Sequence, residues 1–305
     1  MRIIYIARFD AGGNEDENAI AHALTQLGHD VQCIRESMGH NAYRLLPASF
    51  VLFHKWSDLK SLRRLPIPKV LFYFDLVDWP DPTLEARCAA RRKWMEETLP
   101  HVDLGFLSDG DWVARDTTGK LVWLPQGADE RTAGFGANSG HCTLCNASWA
   151  GTDLLFTGIS GGGGQDRISF VEEMKSRYGR QFTHIPSGIH GRALADAIAH
   201  ARIVVAPDSP VSDKYWSNRV YLMLGFGAFL LHPYCERLAQ HYQDGREIIF
   251  YRSREHLHAL IDYYLPKPEL RQEIAAAGLR RTLREHTYTH RVRALVQTVQ
   301  DRLSI

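Results

Sequence analysis

The residues best suited to chemistry form a cationic set and an acid–base set. In DKYWSNR at 213–219, Lys214, Ser217, Asn218 and Arg219 stand directly before the apolar-periodic run RVYLMLGFG. A helix starting there would aim free backbone N–H groups, a capping hydroxyl from Ser217 and a guanidinium at one point, a geometry that receives a diphosphate. In FTGISGGGGQDR at 156–167, Gly158 and four consecutive glycines lie between a strand and a helix that starts near Arg167. Glycine lets main chain approach a ligand closely, and Arg167 adds a cation. Together Arg167, Lys214 and Arg219 could offset the charge on a departing diphosphate, so neither a metal nor a cofactor is called for. The segment is not a Walker loop, because GK[ST] is missing, and it lacks the G-x-G-x-x-G spacing of a dinucleotide site.

In the first half, Asp10, His54, Asp75 and Asp78 each fall at or just beyond an apolar run. Parallel strands would deliver them to one sheet edge, where a carboxylate or imidazole can take a proton from a hydroxyl. Asp75 and Asp10 lead as the general base and His54 follows; a cap or loop hydrogen bond is the competing role for each. Gly12 and Gly13 would let the first loop approach a diphosphate. The stretch HIPSGIHGRAL at 184–194 could read a nucleotide base through its backbone, with His184 and His190 as polar loop residues. His141, Cys142 and Cys145 in HCTLC make half a zinc site at most, and free thiols are the default there.

The elements that must position these groups alternate. Strands are expected at 2–7, 30–35, 49–54, 69–75, 102–108 and 120–125, then at 153–158, 180–185, 202–207, 228–233 and 247–251, with helices between them and two or three at the C-terminus. Such alternation builds doubly wound α/β sheets, here two of them facing a cleft. The boundaries expected are 1–130 for an acceptor-binding domain, 131–152 for a linker, 153–285 for a donor-binding domain and 286–305 for a helix that returns to the first domain. With 305 residues, 45% hydrophobic and 23% charged, the chain has the composition of a globular protein and not of a disordered one. No apolar run approaches the roughly 18 residues of a membrane span. Five scattered cysteines do not make a disulfide framework, so reduced thiols and a cytoplasmic location are expected.

Charge excludes a global polyanion-binding field: 36 Lys and Arg stand against 35 Asp and Glu. Residues 1–130 hold 15 basic and 19 acidic side chains, and 131–305 hold 21 and 16, so the second half is the positive one. Basic runs Lys55, Lys60, Arg63, Arg64, Lys69 and Arg87, Arg91, Arg92, Lys93 could form a polyanion track, or simply solvated faces.

The segment SNRVYLMLGFGAFLLHPYCERLAQHYQDGREIIFYRSREHLHALIDYYL, with PELRQEIAAAGLRRTLREHTYTHRVRALV after it, resembles the C-terminal donor domain of group-1 glycosyltransferases of GT-B architecture, in the spore-maturation and bacteriophage-type branch. KVLFYFDLVDWPD and LPQGADE are similar to first-domain segments of that branch. The resemblance implies transfer of a hexosyl or pentosyl group from a nucleotide diphosphosugar, bound by the second domain, to an acceptor bound by the first. That acceptor is a glycan, a protein, a small molecule or hydroxymethylated DNA. It also implies a last helix that crosses back to the first domain. One position departs: many group-1 enzymes carry a glutamate three residues after the motif arginine, and this chain has Leu222. Two other readings therefore stay open, a nucleotide-sugar epimerase or hydrolase on the same scaffold, and a catalytically silent sugar-nucleotide or glycan-binding protein.

Overall fold

A computed structural model describes residues 1–9, 16–79, 81–133, 152–160, 164–207 and 212–305. Asp10, Gly12, Gly13 and the HCTLC segment lie outside the described residues. The chain divides into two units, Met1–Gly127 with Tyr288–Ile305, and Ala128–Thr287. The first boundary falls three residues before the one read from composition, and most of the expected linker lies outside the described residues.

The first unit opens on β1 (Arg2–Ala7), whose continuous apolar run is buried on both faces of a parallel sheet. α1 (Asp16–Gln26) places Asp16 and Glu17 in its first turn, where carboxylates suit the positive helix end, and buries Ala19, Ile20, Ala23 and Leu24 at helical spacing. Then follow β2 (Asp30–Arg35), a 3₁₀ segment (Glu36–Leu45), β3 (Phe50–Phe53), α2 (Leu59–Arg64), β4 (Lys69–Tyr73), α3 (Glu85–Thr98), β5 (Leu104–Leu107), α4 (Gly110–Val113) and β6 (Leu121–Trp123). The strands pair in parallel in the order β2-β1-β3-β4-β5-β6. Period-two alternation splits β1 between two cores: Ile3 and Tyr5 pack in one, Ile4 and Ile6 in the other.

The second unit runs β7 (Leu154–Thr157), α5 (Gly164–Tyr178), β8 (Phe182–Ile185), α6 (Gly191–His200), β9 (Ile203–Val205), α7 (Arg219–Gly225), β10 (Leu230–Pro233), α8 (Leu238–His241), β11 (Ile249–Tyr251), α9 (Arg254–Tyr264) and α10 (Pro268–Glu285). Its parallel sheet has the order β11-β10-β9-β7-β8. Phe156, Phe170, Met174, Val205, Leu231 and Ile261 belong to its core. α10 lies against α7, and Gly278 gives room on both sides: a Cβ there would sit 3.0 Å from the Leu224 side chain of α7 and would collide with the Glu247 carbonyl oxygen before β11.

α11 (Tyr288–Leu303) belongs to the first unit, where Tyr288, Val292, Leu295 and Val299 share a core with Ile20 and Leu24 of α1. This return changes the charge count. Assigned by unit, the first holds 18 basic and 18 acidic side chains and the second 18 and 17, so the asymmetry read from the two sequence halves does not survive. Among the described residues no helix is long and apolar enough to cross a membrane.

Candidate functional site

In an open parallel sheet, ligands bind beyond the carboxyl ends of the strands. At that edge of the second unit, β7 ends at Thr157 and the chain turns through Gly158 at φ +138°, a backbone conformation that favours glycine. Gly158 N–H donates to the Ile185 carbonyl at 2.9 Å. His184, one residue earlier in β8, stacks on Phe156 with centroids 5.2 Å apart and planes 3° apart, and its Nε2 lies 2.8 Å from the Gly158 carbonyl oxygen. With Nε2 protonated, that contact is a hydrogen bond fixing the turn. His184 is therefore a structural part of the turn and not the polar loop residue expected from sequence; its place near the end of β8, beside β7, is the signal for it.

Arg219, first residue of α7, reaches back over this turn. Its Nε donates to the Thr157 carbonyl at 3.0 Å, one terminal nitrogen lies 3.4 Å from Ser217 Oγ, and its guanidinium carbon is 5.6 Å from the Phe156 ring centroid. A Cβ on Gly158 would come within 2.6 Å of that guanidinium, so any side chain there would displace the arginine as well as strain the backbone. Arg167 is buried in the first turn of α5, which begins at Gly164, three residues earlier than expected. Its Nε donates to the Pro207 carbonyl at 3.2 Å and Nη1 to the Ile159 carbonyl at 3.4 Å.

These groups border a cavity of about 410 Å³, with Gly158, Arg167, His190, Asn218 and Arg219 as polar lining and Ile185, Ile189, Leu194, Leu222 and Met223 among its apolar wall. That volume suits a small molecule with an apolar body and a charged end. The apolar wall was not identified from sequence, since its residues come from separate elements and read as ordinary core.

Two features of the motif differ from expectation. Asn218, not Ser217, is the N-cap of α7; its backbone is helical (φ −57°, ψ −15°) and no side chain bonds the cap. Ser217 supplies its carbonyl to Val220 N–H at 3.3 Å instead. Lys214 and Ser217 are outside the cavity lining; the Lys214 amide bonds Ser212 Oγ at 3.1 Å.

At the carboxyl edge of the first unit's sheet, Asp75 follows β4 and forms ion pairs with Lys55 and, at 3.1 Å, Arg91. Burial pushes its carboxyl up, but these two cations outweigh burial and hold it below the ordinary value. Beyond β3, His54 is 5% exposed and stacks on Phe74 at 4.2 Å. Burial pulls its imidazole down to about 4, against the opposing hydrogen bond of Nδ1 to the Phe72 carbonyl at 2.7 Å. The ring is thus neutral at pH 7, with Nδ1 donating. Asp78 binds Arg92 at 2.5 Å and Arg115 at 3.0 Å, and Arg92 also meets Glu85 at 2.6 Å. The second basic run is therefore not an open cationic track: Arg91 and Arg92 are tied to carboxylates of their own unit.

Asp109 was overlooked, although S-D-G-D after an apolar run signals a cap. It is 1% exposed, caps α4 through Trp112 N–H at 2.9 Å, and accepts Val77 N–H at 2.9 Å. Burial raises its pKa. Among the described residues no group of three or more His, Cys, Asp or Glu could hold a metal ion.

Residues 165–297 match a family model described as glycosyl transferase-like. In structure the chain is similar to sucrose-phosphate synthase from Thermosynechococcus elongatus, with a TM-score of 0.68 at 11% identity, covering 100% of this chain and 99% of that one. It is also similar to a glycosyltransferase from Rickettsia africae, with a TM-score of 0.63 at 9% identity, covering 99% and 98%. Anabaena HepE in complex with UDP-glucose gives a TM-score of 0.63 at 10% identity, covering 99% and 100%. No curated protein matches in sequence. These likenesses span both chains end to end and establish the fold: two parallel-sheet α/β domains of the GT-B glycosyltransferase type.

Proposed function

We propose that the protein transfers a sugar from a nucleotide diphosphosugar to a hydroxyl acceptor, with the donor in the cavity bordered by Gly158, Arg167 and Arg219. The observation that carries this reading is that cavity: an apolar wall for a nucleoside beside two anchored guanidiniums for a diphosphate, with both arginines inside the glycosyl transferase-like region. Anabaena HepE, whose structure holds UDP-glucose, shares the fold and supports this donor class. The acceptor oxygen bonds the anomeric carbon while the bond from that carbon to the diphosphate oxygen breaks, and the electron pair leaves with the nucleoside diphosphate. Arg219 and Arg167 stabilise the charge that develops there, in place of a metal. The acceptor proton passes to a base of the first unit, with Asp75, Asp10 and His54 as the candidates, or to the leaving phosphate. Cys33, Cys88 and Cys235 are free thiols, which fits a reducing compartment such as the cytoplasm.

The test is thermal stabilisation by a panel of nucleotides and sugar nucleotides, since a ligand at 100 times its Kd adds about 2.7 kcal/mol. At least one nucleoside diphosphate should stabilise the wild type, and Arg219→Ala should abolish the effect. An undiminished shift in that variant would move the diphosphate elsewhere. Asp75→Asn should keep the shift and lose turnover.

Leu222 favours a second reading. It lines the cavity where the resemblance places a donor-contacting glutamate, so an apolar side chain stands in for a charged one. A silent binding protein would bind donor and release no nucleotide with any acceptor pool; nucleotide release without acceptor would mark a hydrolase.

A further inference from the structure

A second cavity in the same unit, of about 390 Å³, opens beyond β9, β10 and β11. Pro207, Pro233 and Tyr251 mark those three strand ends, and Phe170 of α5 adds an aromatic wall. Two arginines line it, and they are held in opposite ways. Arg254 is saturated: it pairs with Asp166 at 2.9 Å and Glu173 at 2.9 Å, and its guanidinium carbon lies 4.8 Å from the Phe170 ring centroid. Arg252 is exposed and lies on Tyr234, with its guanidinium carbon 3.6 Å from the ring centroid. Among the described residues its guanidinium forms no ion pair and no hydrogen bond, while its backbone N–H donates to His256 Nδ1 at 3.3 Å.

We propose that this cavity is a second ligand site, in which Arg252 takes the phosphate or carboxylate group of a small molecule. Stacking on Tyr234 occupies one face of the guanidinium and orients its plane, while the N–H donors along its edge remain available. A planar fork held in that way matches an oxyanion with two parallel hydrogen bonds, stronger than neutral ones. The ring also stabilises the cation without neutralising it. The buried rings of Phe170 and Tyr251 and the two prolines offer apolar surface to the carbon skeleton. The site adjoins the first cavity: Asp166 lines one and Arg167 the other, and the carbonyl of Pro207 holds Arg167 while its ring borders the second cavity. It is nevertheless built from different cations, and it stands whether or not the first cavity holds a sugar nucleotide.

Calorimetric titration of the full chain with glucose 6-phosphate, glucuronate and glucose, each with and without saturating UDP, tests the assignment. Phosphate or carboxylate sugar should bind, neutral glucose should not, and UDP should not displace the bound anion. The two anionic probes distinguish the two oxyanions. Arg252→Gln should weaken that binding at least about tenfold, and Arg252→Lys should restore it only in part, since the charge returns without the fork. UDP affinity and melting temperature should stay at wild-type values in both variants. The proposal is overturned if neither anion binds at millimolar concentration, if Arg252→Gln binds as tightly as wild type, or if UDP competes. Loss of UDP binding by the wild type with intact anion binding would sink the transferase reading alone.

Discussion

At the carboxyl end of the first sheet, cations are tied to carboxylates: Lys55 and Arg91 to Asp75, Arg92 and Arg115 to Asp78. At the corresponding end of the second sheet, Arg252 rests on the Tyr234 ring and, among the described residues, pairs with no carboxylate; nearby, Arg219 donates to the Thr157 carbonyl and Arg167 to the Pro207 and Ile159 carbonyls. Both anchorings fix side-chain geometry. A carboxylate cancels the charge it holds, whereas a carbonyl or a ring leaves it in place. The difference is local, because the two units carry nearly equal numbers of basic and acidic side chains. The capacity of Arg252 to bind an anion is thus set by what its guanidinium rests on and not by the net charge of the unit.

The largest test of this contrast concerns the first edge. His54 is buried neutral with its pKa lowered to about 4, so between there and the unfolded value near 6.5 the unfolded chain binds the extra proton. Its contribution to stability is complete above pH 6.5 and is lost as pH falls toward 4, by roughly 3 kcal/mol. Urea unfolding from pH 7 to 4 should show this slope, and His54→Gln, which does not titrate, should flatten it; an unchanged slope would mean that other groups carry it. At the second edge, Arg219→Ala should weaken nucleoside diphosphate binding by about 100-fold, through loss of charge-assisted hydrogen bonds. Gly158→Ala should weaken it about tenfold by straining the backbone and displacing the guanidinium, with turnover falling in parallel. Equal affinity in Gly158→Ala would show that the close approach has no bearing on ligand. The smallest effect should come from Lys93, exposed and 4.0 Å from Glu97: Lys93→Ala should change stability by less than about 0.5 kcal/mol.

The strands that carry the chemistry-bearing segments were legible because parallel strands buried on both faces are short apolar runs ending in polar residues, whereas their order in each sheet was not. Gly158, Arg167, Asn218 and Arg219 were legible because Gly158 follows an apolar run and the other three stand at the starts of helix-periodic runs, and the structure brings them to one cavity. The partners of Asp75 were not legible. Lys55 and Arg91 lie 20 and 16 positions away, on the chain after β3 and on α3, and only the packing of those elements decides that they meet. The cap at Asn218 was missed because one residue of register separates a capping hydroxyl from one that bonds an arginine, and composition does not resolve one residue. The stacking of Arg252 on Tyr234 joins residues at the ends of neighbouring strands β10 and β11, a pairing that no local period reports.

The return of α11 has a consequence for how the molecule is made. Arg291 Nε donates to the Gln126 carbonyl at 2.9 Å, and Tyr288, Leu295 and Val299 are fully buried in the core built on β1 and α1. The first unit is therefore interrupted by the whole of the second, and its interior stays unfinished until α11 has left the ribosome. The second unit, continuous from Ala128 to Thr287, can complete its own core earlier. Synthesis order and folding order are thus reversed: the half that emerges first is the half that closes last.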